Sequence, residues 1–437
     1  MAEIRPFHGV RYNQSQVNDL AAVICPPYDI ITPQMQQELC QRSEHNFVRL
    51  EFGRDLPQDS PIDNKYIRAS STLERWLKQG ILKVDDTPTI YLHDHYFSHQ
   101  GNECRRRGMI ALVRLEDWSK MVVRPHEGTL SDPKDDRLNL MWALEANTSP
   151  IFALYEDREQ QVASLLATQA QSEPILEVKT VNGESHAAWA ITETETVERI
   201  CDCLAQQPLY IADGHHRYES ALTYHRERHA CDSSLSGDKP FDFVMMTLVD
   251  LSDPGLVILP AHRLVRSILK SALGQLMAKL KTFFEIEELP LTMLDVWNQV
   301  DSLLAEESSE IKLVLFGLDK KHLFILRLRD FAAASQMMPY FHSELYKRLD
   351  VSIVDHVILE ELLGLTRDKE GTSLAYSYDR LDSVRKVLDQ EYQLAFLLSP
   401  IKAEMIKGIA DVGDRMPKKS TYFYPKLPAG LVFYRLD

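Results

Sequence analysis

Apolar residues recur along this chain at two alternating spacings, one typical of strands and the other of helices. Short apolar runs predict strands at 45–52, 89–98, 106–115, 150–155, 175–181, 208–212, 241–250, 392–398 and 430–434. Helical spacing, with a cap signal at Thr32-Pro33, predicts helices at 34–43, 64–80, 157–170, 194–206, 216–230 and 401–410. Such mixing predicts a mixed α/β fold, of the α/β or α+β class.

The size of the chain predicts two to three domains. It has 437 residues, of which 44% are hydrophobic and 26% are charged, close to the averages of globular proteins. Polar stretches near 116–135 and 262–270 are the expected boundaries. They divide the chain into an N-terminal α/β segment at 1–115, a core at 116–262 and a C-terminal α/β segment at 263–437.

The overall charge disfavours two classes of partner. A formal net charge of −15 disfavours both nucleic acid, whose binding depends on Lys and Arg neutralising phosphates, and anionic membranes. The sequence has no apolar run long enough for a transmembrane helix and no signal-peptide pattern at its start. Six cysteines in so long a chain do not indicate a disulfide framework, so we expect a cytoplasmic protein.

One polar string connects a predicted strand to a predicted helix. Residues 208–212 are a short apolar run, and residues 213–217 follow as Asp-Gly-His-His-Arg. Helical spacing of apolar residues begins immediately afterwards, at Tyr218, Ala221, Leu222 and His225. The string therefore lies at a sharp turn between a strand and the first turn of a helix.

This arrangement favours phosphate binding. The first turn of a helix has free N–H groups and a partial positive charge, and Gly214 allows close approach of a ligand. His215, His216 and Arg217 add donors for phosphate oxygens, with His216 also a candidate catalytic residue, and Asp213 could hold a magnesium ion or a substrate amine. The alternative is a helix cap with surface histidines. Four charged or titratable residues around one glycine favour a site.

Three other segments carry candidate residues. The rigid turn Pro26-Pro27-Tyr28-Asp29 could place Tyr28 over a substrate or base and Asp29 against an amine, or it could be structural. Arg137 could contact phosphate or hold a catalytic carboxylate, or it could form a surface ion pair. The C-terminal cations could reach phosphates, or could lie in a solvated loop; they are Arg415, Lys418, Lys419 and Lys426.

Several strings resemble one family along nearly the whole chain. The string YIADGHHRYESAL at 210–222 resembles the signature of the domain-of-unknown-function 1015 family. Further strings match it in the expected order: IRPFHGVRYN (4–13), VICPPYDII (23–31), NFVRLE (46–51), RPHEGTL with PKDDRL (124–138), SPIFALY (149–155), DPGLVILPAHRLV (253–265) and RMPKKSTYFYPKL (415–427). The motif is also similar to the Gly-x-x-Arg motif of the ParB/sulfiredoxin superfamily, which implies a core of that type.

The superfamily resemblance implies nucleotide chemistry. Its members include CTP-binding partition proteins, ATP-using sulfiredoxins and kinases of free L-serine. In the free-serine kinases a Pro-His-Glu segment precedes the motif and its glutamate is the base, which implies that role for Glu127 in Pro125-His126-Glu127. A solvated loop glutamate is the alternative. No cysteine lies between Gly214 and Arg217, which disfavours sulfiredoxin chemistry.

We therefore expect a kinase that uses ATP or ADP with Mg²⁺ to phosphorylate a small hydroxylated metabolite, with L-serine the leading candidate. Glu127, Asp213 and His216 would be catalytic, Asp213 the metal ligand, and Gly214, His215, His216, Arg217 and Arg137 the phosphate-binding residues. Tyr28 and Asp29 would bind substrate. Two alternatives stay open, a nucleotide-binding or slowly hydrolysing switch and a non-catalytic scaffold. The sequence leaves the oligomeric state open.

Overall fold

The computed structural model describes residues 2–129, 131–231, 237–306, 310–365 and 370–437. These residues form two compact units. The first unit comprises Met1–Pro125, Thr129–Val257 and Pro425–Asp437, and the second comprises His126–Gly128 and Ile258–Tyr424. The mixed α/β fold is confirmed, and the three-part division of the chain stays a prediction. Within the described residues, no helix has the length and apolar character needed to cross a bilayer.

The first unit contains thirteen described strands and seven described α-helices. The strands are β1 Ile4–Arg5, β2 Val10–Tyr12, β3 Leu82–Val84, β4 Ile90–His99, β5 Asn102–Arg114, β6 Val123–Pro125, β7 Ala146–Asn147, β8 Ile151–Tyr155, β9 Leu176–Lys179, β10 Ser185–Ile191, β11 Leu209–Asp213, β12 Phe243–Asp250 and β21 Tyr434–Arg435. The helices are α1 Pro33–Arg42, α2 Val48–Glu51, α3 Lys65–Lys78, α4 Ser131–Leu144, α5 Gln161–Gln169, α6 Thr194–Ala205 and α7 His215–Cys231.

A nine-stranded mixed sheet organises this unit. Its order is β6-β11-β8-β12-β5-β4-β10-β9, with β1 on β5. Both faces are covered, because neighbouring residues of a strand enter different cores: Met109 and Ala111 of β5 join one cluster, whereas Ile110 and Leu112 join the other. This is why β12 is buried along its whole length instead of alternating between core and solvent.

The second unit is built around a six-stranded sheet in the order β15-β17-β16-β19-β14-β18. Its strands are β13 Val257–Pro260, whose first residue still belongs to the first unit, β14 His262–Val265, β15 Phe284–Pro290, β16 Lys312–Phe316, β17 His322–Leu328, β18 Leu374–Ser377, β19 Leu394–Leu397 and β20 Thr421–Tyr424. Its helices are α8 Lys270–Phe283, α9 Val296–Ala305, α10 Phe331–Gln336, α11 Glu344–Lys347, α12 Asp350–Ser352, a π-helix Ile353–Leu362, α13 Glu370–Ser373, α14 Arg380–Leu388 and α15 Ala403–Asp411.

The prediction of a strand at 45–52 is wrong. Residues Val48–Glu51 form the short helix α2, and Phe47, Val48, Leu50 and Glu51 are all buried. The side chain of Asn46 donates hydrogen bonds to the carbonyl oxygens of Ala22 and Ile24. These contacts satisfy the backbone of the preceding loop, so the segment folds back as a helical turn and does not pair with the sheet.

Candidate functional site

The predicted strand–turn–helix geometry at Asp213–Arg217 is confirmed. Strand β11 ends at Asp213 and α7 begins at His215, with Tyr218 of α7 donating its N–H to the carbonyl of Gly214 at 3.0 Å. The pairing of β11 with β8 shifts register between Ile211 and Asp213. Such an irregularity re-aims side chains at the end of a strand. The motif therefore lies where the strand pairing breaks and a helix N-terminus begins.

Position 214 requires a glycine for two reasons, its backbone conformation and the side chain that covers it. Its φ is +94°, where residues with a side chain are strained. A Cβ placed there would lie 2.9 Å from Nε and 3.0 Å from Cζ of Arg217. Because Gly214 has no side chain, the guanidinium group of Arg217 can lie over the turn.

Arg217 is held on two sides. Its Nη1 donates to the carbonyl oxygen of Pro150, and its Nη2 lies 3.2 Å from Oδ2 of Asp213. Its Nε is buried and has no hydrogen-bond acceptor among the described residues. A buried, unsatisfied N–H of a cation is costly, and an oxyanion is the partner that best satisfies it.

Asp213 connects the motif to a residue far away in the sequence. Its Oδ1 lies 3.1 Å from Nζ of Lys426, which also lies 3.8 Å from Oδ2 of Asp29. Burial alone would raise the pKa of Asp213, but the charges of Lys426 and Arg217 outweigh it and hold the pKa below its ordinary value. The carboxylate is therefore ionised at neutral pH and orders two cations, with Asp29 beside them.

These ion pairs bear on the predicted magnesium site. One oxygen of Asp213 faces Lys426 and the other faces Arg217. A metal ion at Asp213 would have to displace these two positive side chains or lie close to them, which charge repulsion opposes. In this arrangement the carboxylate is better placed to orient the two side chains than to bind a metal. The role of Asp213 as a metal ligand stays a prediction.

Tyr28 and Arg137 form an adjoining pair. The guanidinium of Arg137 lies over the ring of Tyr28, 4.0 Å from its centre. Burial raises the pKa of Tyr28 to about 12, although the positive charges of Arg137 and Arg217 oppose that rise. Tyr28 is therefore a neutral hydroxyl at physiological pH, near both arginines and Asp29. The structure thus brings Tyr28, Asp29, Arg137, Asp213 and Arg217 into one region of the first unit.

The other contacts of Arg137 are with acidic residues and the backbone. Its Nε lies 3.0 Å from Oδ2 of Asp136, and its Nη1 donates to the carbonyl of Glu51 at 2.9 Å. Glu51 is fully buried, and its Oε2 accepts a hydrogen bond from Thr148 at 2.6 Å. Arg137 is thus not a surface residue, and much of its hydrogen-bonding capacity serves the structure around Glu51.

A small polar cavity lies against these side chains. It has a volume of about 30 Å³, and its polar lining residues are Glu51, Arg137, Asn147, Thr148, Ser149 and Arg217. This volume suits about one water molecule and is far too small for a nucleotide. A larger concavity in the first unit, of about 1040 Å³, has a different lining that includes Arg49, Arg54, Arg68 and Trp76.

The two histidines of the motif differ in burial. His215 is buried. His216 is partly exposed, and its carbonyl accepts a hydrogen bond from Ser220 at 2.9 Å. Of the two, His216 is the more accessible to a ligand.

Glu127 belongs to the second unit. Its Oε1 accepts the backbone N–H of Lys419 at 3.0 Å, and its carbonyl accepts a hydrogen bond from Arg415 at 2.9 Å. The loop that carries Lys419 is anchored by the buried Arg263, whose Nη1 donates to the carbonyl of Lys419 at 2.9 Å. Glu127 is therefore a positioned carboxylate with local partners.

The predicted C-terminal cationic group divides between the two units. Arg415, Lys418 and Lys419 belong to the second unit, whereas Lys426 belongs to the first. Sequence reasoning included Lys426 only as a member of that group, and its pairing with Asp213 was missed. The signal available was a lysine between two prolines, Pro425 and Pro428, in an acidic chain.

Comparison with solved structures finds remote similarity. A conserved hypothetical protein from Pyrococcus furiosus aligns at 14% identity and a TM-score of 0.34, over 74% of this chain and 95% of its own. A free serine kinase in complex with AMP aligns at 14% identity and a TM-score of 0.36, over 74% of this chain and 92% of its own. SbnI from Staphylococcus aureus, truncated at its C-terminus, aligns at 9% identity and a TM-score of 0.34, over 74% of this chain and 85% of its own.

The comparison of sequences is more direct. No curated protein matches the chain. The model of one family, described as "Protein of unknown function (DUF1015)", matches residues 4–352, which is well over half of the 437 residues. The family strings between residues 4 and 265 lie within the matched range, the string at 415–427 lies beyond it, and the chain belongs to the DUF1015 family.

Proposed function

We propose that this protein is a nucleotide-dependent kinase that phosphorylates a small hydroxylated metabolite, with L-serine as the leading substrate and O-phosphoserine as the product. The γ-phosphoryl group of ATP would pass to the substrate hydroxyl and leave ADP, or the β-phosphoryl group of ADP would pass to it and leave AMP. The proton of the hydroxyl would go to a base. The observation that carries the proposal is the placement of Arg217 and Lys426 on Asp213 at the N-terminus of α7.

The helix N-terminus and the two cations would act on the phosphates. Phosphoryl transfer depends mainly on positioning and on neutralising charge. The first N–H groups of α7 offer donors that need no rearrangement of the backbone, and the buried Nε of Arg217 would add a donor once its side chain turned toward the phosphate. Gly214, His215 and His216 would complete this phosphate-binding turn, with His216 as the accessible side chain. Arg137 would support it through Tyr28.

The balance of charge in the region fits an amino-acid substrate. Asp29 and Asp213 accompany Lys426 and Arg217 within one network of ion pairs. A zwitterion such as serine could exchange partners with such a network, its ammonium with a carboxylate and its carboxylate with a cation. Tyr28 and Asp29 would provide the substrate contacts.

Magnesium would enter mainly with the nucleotide. Mg²⁺ retains several waters and is commonly held by substrate phosphates and one or two carboxylates. When bound, it would neutralise charge on the transferred phosphoryl group. The base would be Glu127, a role that rests on the Pro125-His126-Glu127 resemblance.

Phosphorus NMR tests the proposal. Purified protein is incubated with Mg²⁺, L-serine and either ATP or ADP, and a new O-phosphoserine resonance is expected. Arg217→Gln should abolish the resonance and weaken nucleotide binding, whereas Arg199→Gln, at an exposed position of α6, should leave both unchanged. No O-phosphoserine and no nucleotide binding by the wild-type protein would refute the proposal.

A second pair of variants tests the base. Glu127→Gln should lose turnover and retain nucleotide binding, because the amide cannot accept the proton. Glu288→Gln, at an exposed position of the second unit, is the control. Normal turnover in Glu127→Gln would remove Glu127 from the mechanism. Nucleotide hydrolysis that ignores serine and other hydroxylated acceptors would favour a switch.

A further inference from the structure

Two histidines in the C-terminal half of α7 lie beside a carboxylate of the turn Pro240–Asp242, separate from the Asp213 motif. Nε2 of His229 lies 2.6 Å, and Nε2 of His225 3.2 Å, from Oδ1 of Asp242. The three ligand atoms lie within 4.8 Å of one another. We propose that His225, His229 and Asp242 bind a divalent transition-metal ion of the zinc class.

The spacing of the two histidines suits this role. Residues four apart on a helix share a face, and histidines with this spacing provide two ligands to helix-borne zinc sites. The imidazole rings of His225 and His229 lie 4.6 Å apart. Zinc bonds to nitrogen and oxygen of about 2.0–2.2 Å place tetrahedral ligand atoms roughly 3.3–3.5 Å apart. The Asp242 oxygen, now 2.6 and 3.2 Å from the two imidazole nitrogens, would have to move slightly away from them to reach that spacing.

The carboxylate is already oriented toward the histidines. Oδ2 of Asp242 accepts the backbone N–H of Lys239 at 2.7 Å, which leaves Oδ1 on the side of the imidazoles. Metal ligands are commonly fixed in this way by a second hydrogen bond. Asp242 is buried, whereas the side chains of His225 and His229 are 29% and 36% exposed. Solvent can therefore reach the remaining coordination positions.

The arginines next to the two histidines form ion pairs with other carboxylates. Arg226 pairs with Asp117, and Nη1 of Arg228 lies 2.7 Å from Glu145. The charge that an incoming cation meets first is thus that of Asp242. Glu227, which lies between the histidines, accepts a hydrogen bond from Trp142 at 3.0 Å. It is directed to that contact. The position directly after His225, where helix-borne zinc proteases carry their glutamate base, is Arg226, so the site lacks such a base.

A second histidine cluster in the first unit serves as a contrast. His95, Glu184 and His186 also bring their ligand atoms together. There, Nη2 of the buried Arg106 lies 3.1 Å from Nδ1 of His95, whose Nε2 lies 2.9 Å from Glu184. Arginine is always a donor, so Nδ1 is the acceptor and Nε2 carries the proton. Binding a metal through Nε2 would require this proton to move to Nδ1, against the arginine.

The proposed ion would join two elements of the first unit. Its ligands come from α7 and from the turn Pro240–Asp242, which leads directly into β12. The same helix begins at the Asp213 motif. A bound ion would therefore fasten α7 to the central sheet, which should raise the stability of the helix that carries the phosphate-binding turn.

Zinc titration tests the proposal on the full chain. After treatment with a chelator and desalting, the wild-type protein should take up one more equivalent of zinc than the His225→Gln/His229→Gln double variant, and its Tm should rise with zinc. His322→Gln removes a histidine that pairs with one carboxylate, Asp319, at 2.9 Å. This control should bind as much zinc as the wild type.

Cobalt provides a second measurement that does not depend on a variant. Cobalt alone, added to the wild-type protein, should give visible absorption bands typical of tetrahedral nitrogen and oxygen ligands, and zinc should abolish them. Equal zinc uptake by the wild type and the double variant would refute the site. Absence of the cobalt bands in the wild type would refute it equally, whether or not the double variant folds.

Discussion

The ammonium group of Lys426 lies 3.1 Å from the carboxylate of Asp213, so a residue of the last segment completes a turn in the middle of the sequence. The same carboxylate meets Arg217 on its other oxygen, at 3.2 Å. Asp213 therefore holds two cations in one place at the start of α7. Much of what we propose for this turn depends on that arrangement.

Lys426→Met should destabilise the first unit and raise the pKa of Asp213. The variant leaves a partly buried carboxylate with one cation in place of two, at a cost of about 1–3 kcal/mol in the free energy of unfolding. Urea denaturation measures the first effect, and ¹³C NMR of the carboxyl group during a pH titration measures the second. Lys83→Met, at an exposed position of β3, should change neither, and an unchanged pKa in Lys426→Met would contradict the ion pair.

Gly214→Ala should destabilise the protein by roughly 1–3 kcal/mol, because alanine is strained at a φ of +94°. Its Cβ would also displace the guanidinium of Arg217, so nucleotide binding should weaken as well. Gly274→Ala is a control of opposite sign, since Gly274 lies within α8 and an added Cβ meets nothing within 4 Å. That variant should be stabilised by about 0.5–1 kcal/mol. Thermal unfolding of both distinguishes the two effects.

Arg137→Gln should lower the free energy of unfolding by about 3–5 kcal/mol, because it leaves the carboxylate of Glu51 buried without its cation. Adding Glu51→Gln should recover part of that loss, since the buried charge is then removed with its partner. A double-mutant cycle in urea measures the coupling. Additive losses from the two substitutions would show that the Arg137–Glu51 contact, 3.5 Å long, contributes little to stability.

Acid should weaken the second unit through His262. This buried side chain accepts the N–H of Leu398 at Nδ1, 3.1 Å away, and burial lowers its pKa to about 4. In the unfolded state the histidine takes up a proton near pH 6.5. The contribution of His262 to the free energy of unfolding is therefore fully present above that pH and falls as the pH drops toward 4. The loss reaches up to about 3 kcal/mol.

His262→Asn isolates this effect. The amide oxygen can still accept a hydrogen bond and does not titrate, so the variant should show a flatter decline of the free energy of unfolding between pH 6.5 and 4. Denaturant titrations at several pH values measure the slope. His322→Gln, which changes a partly exposed histidine of the same unit, is the matched control. Identical slopes in wild type and His262→Asn would contradict the assignment.

Local patterns in the sequence predicted the elements whose faces differ in polarity. Helix α3 and the β4–β5 hairpin were found because their spacing and turn residues agree with their structure. Helix α4 was missed, because its first turns carry Asp132, Lys134, Asp135 and Asp136 and were interpreted as a boundary. Its buried residues, including Arg137 and Leu140, become recognisable as a face only when the packing is known.

The site was predictable to the extent that it is local. Asp213, Gly214 and Arg217 lie together in the sequence, and a strand–turn–helix pattern predicted their geometry. Tyr28, Arg137 and Lys426 meet them only through long-range folding, which spacing along a chain does not encode. The metal-binding pair was missed for a related reason, since His225 was counted as part of the apolar face of α7 and Asp242 follows in a different element.

The order in which the segments of the first unit are synthesised has a consequence for its biogenesis. Strand β21 pairs with β7, and Val10 and Cys25 form bridges with Phe433 and Ala429, so residues 425–437 close this unit. During translation these residues emerge after residues 258–424, and a nascent chain therefore carries an unfinished first unit while the second is being made. Lys426 arrives with that closing segment. A nascent chain that has not yet reached residue 426 would therefore carry Asp213 and Arg217 without the ammonium group that pairs with Asp213.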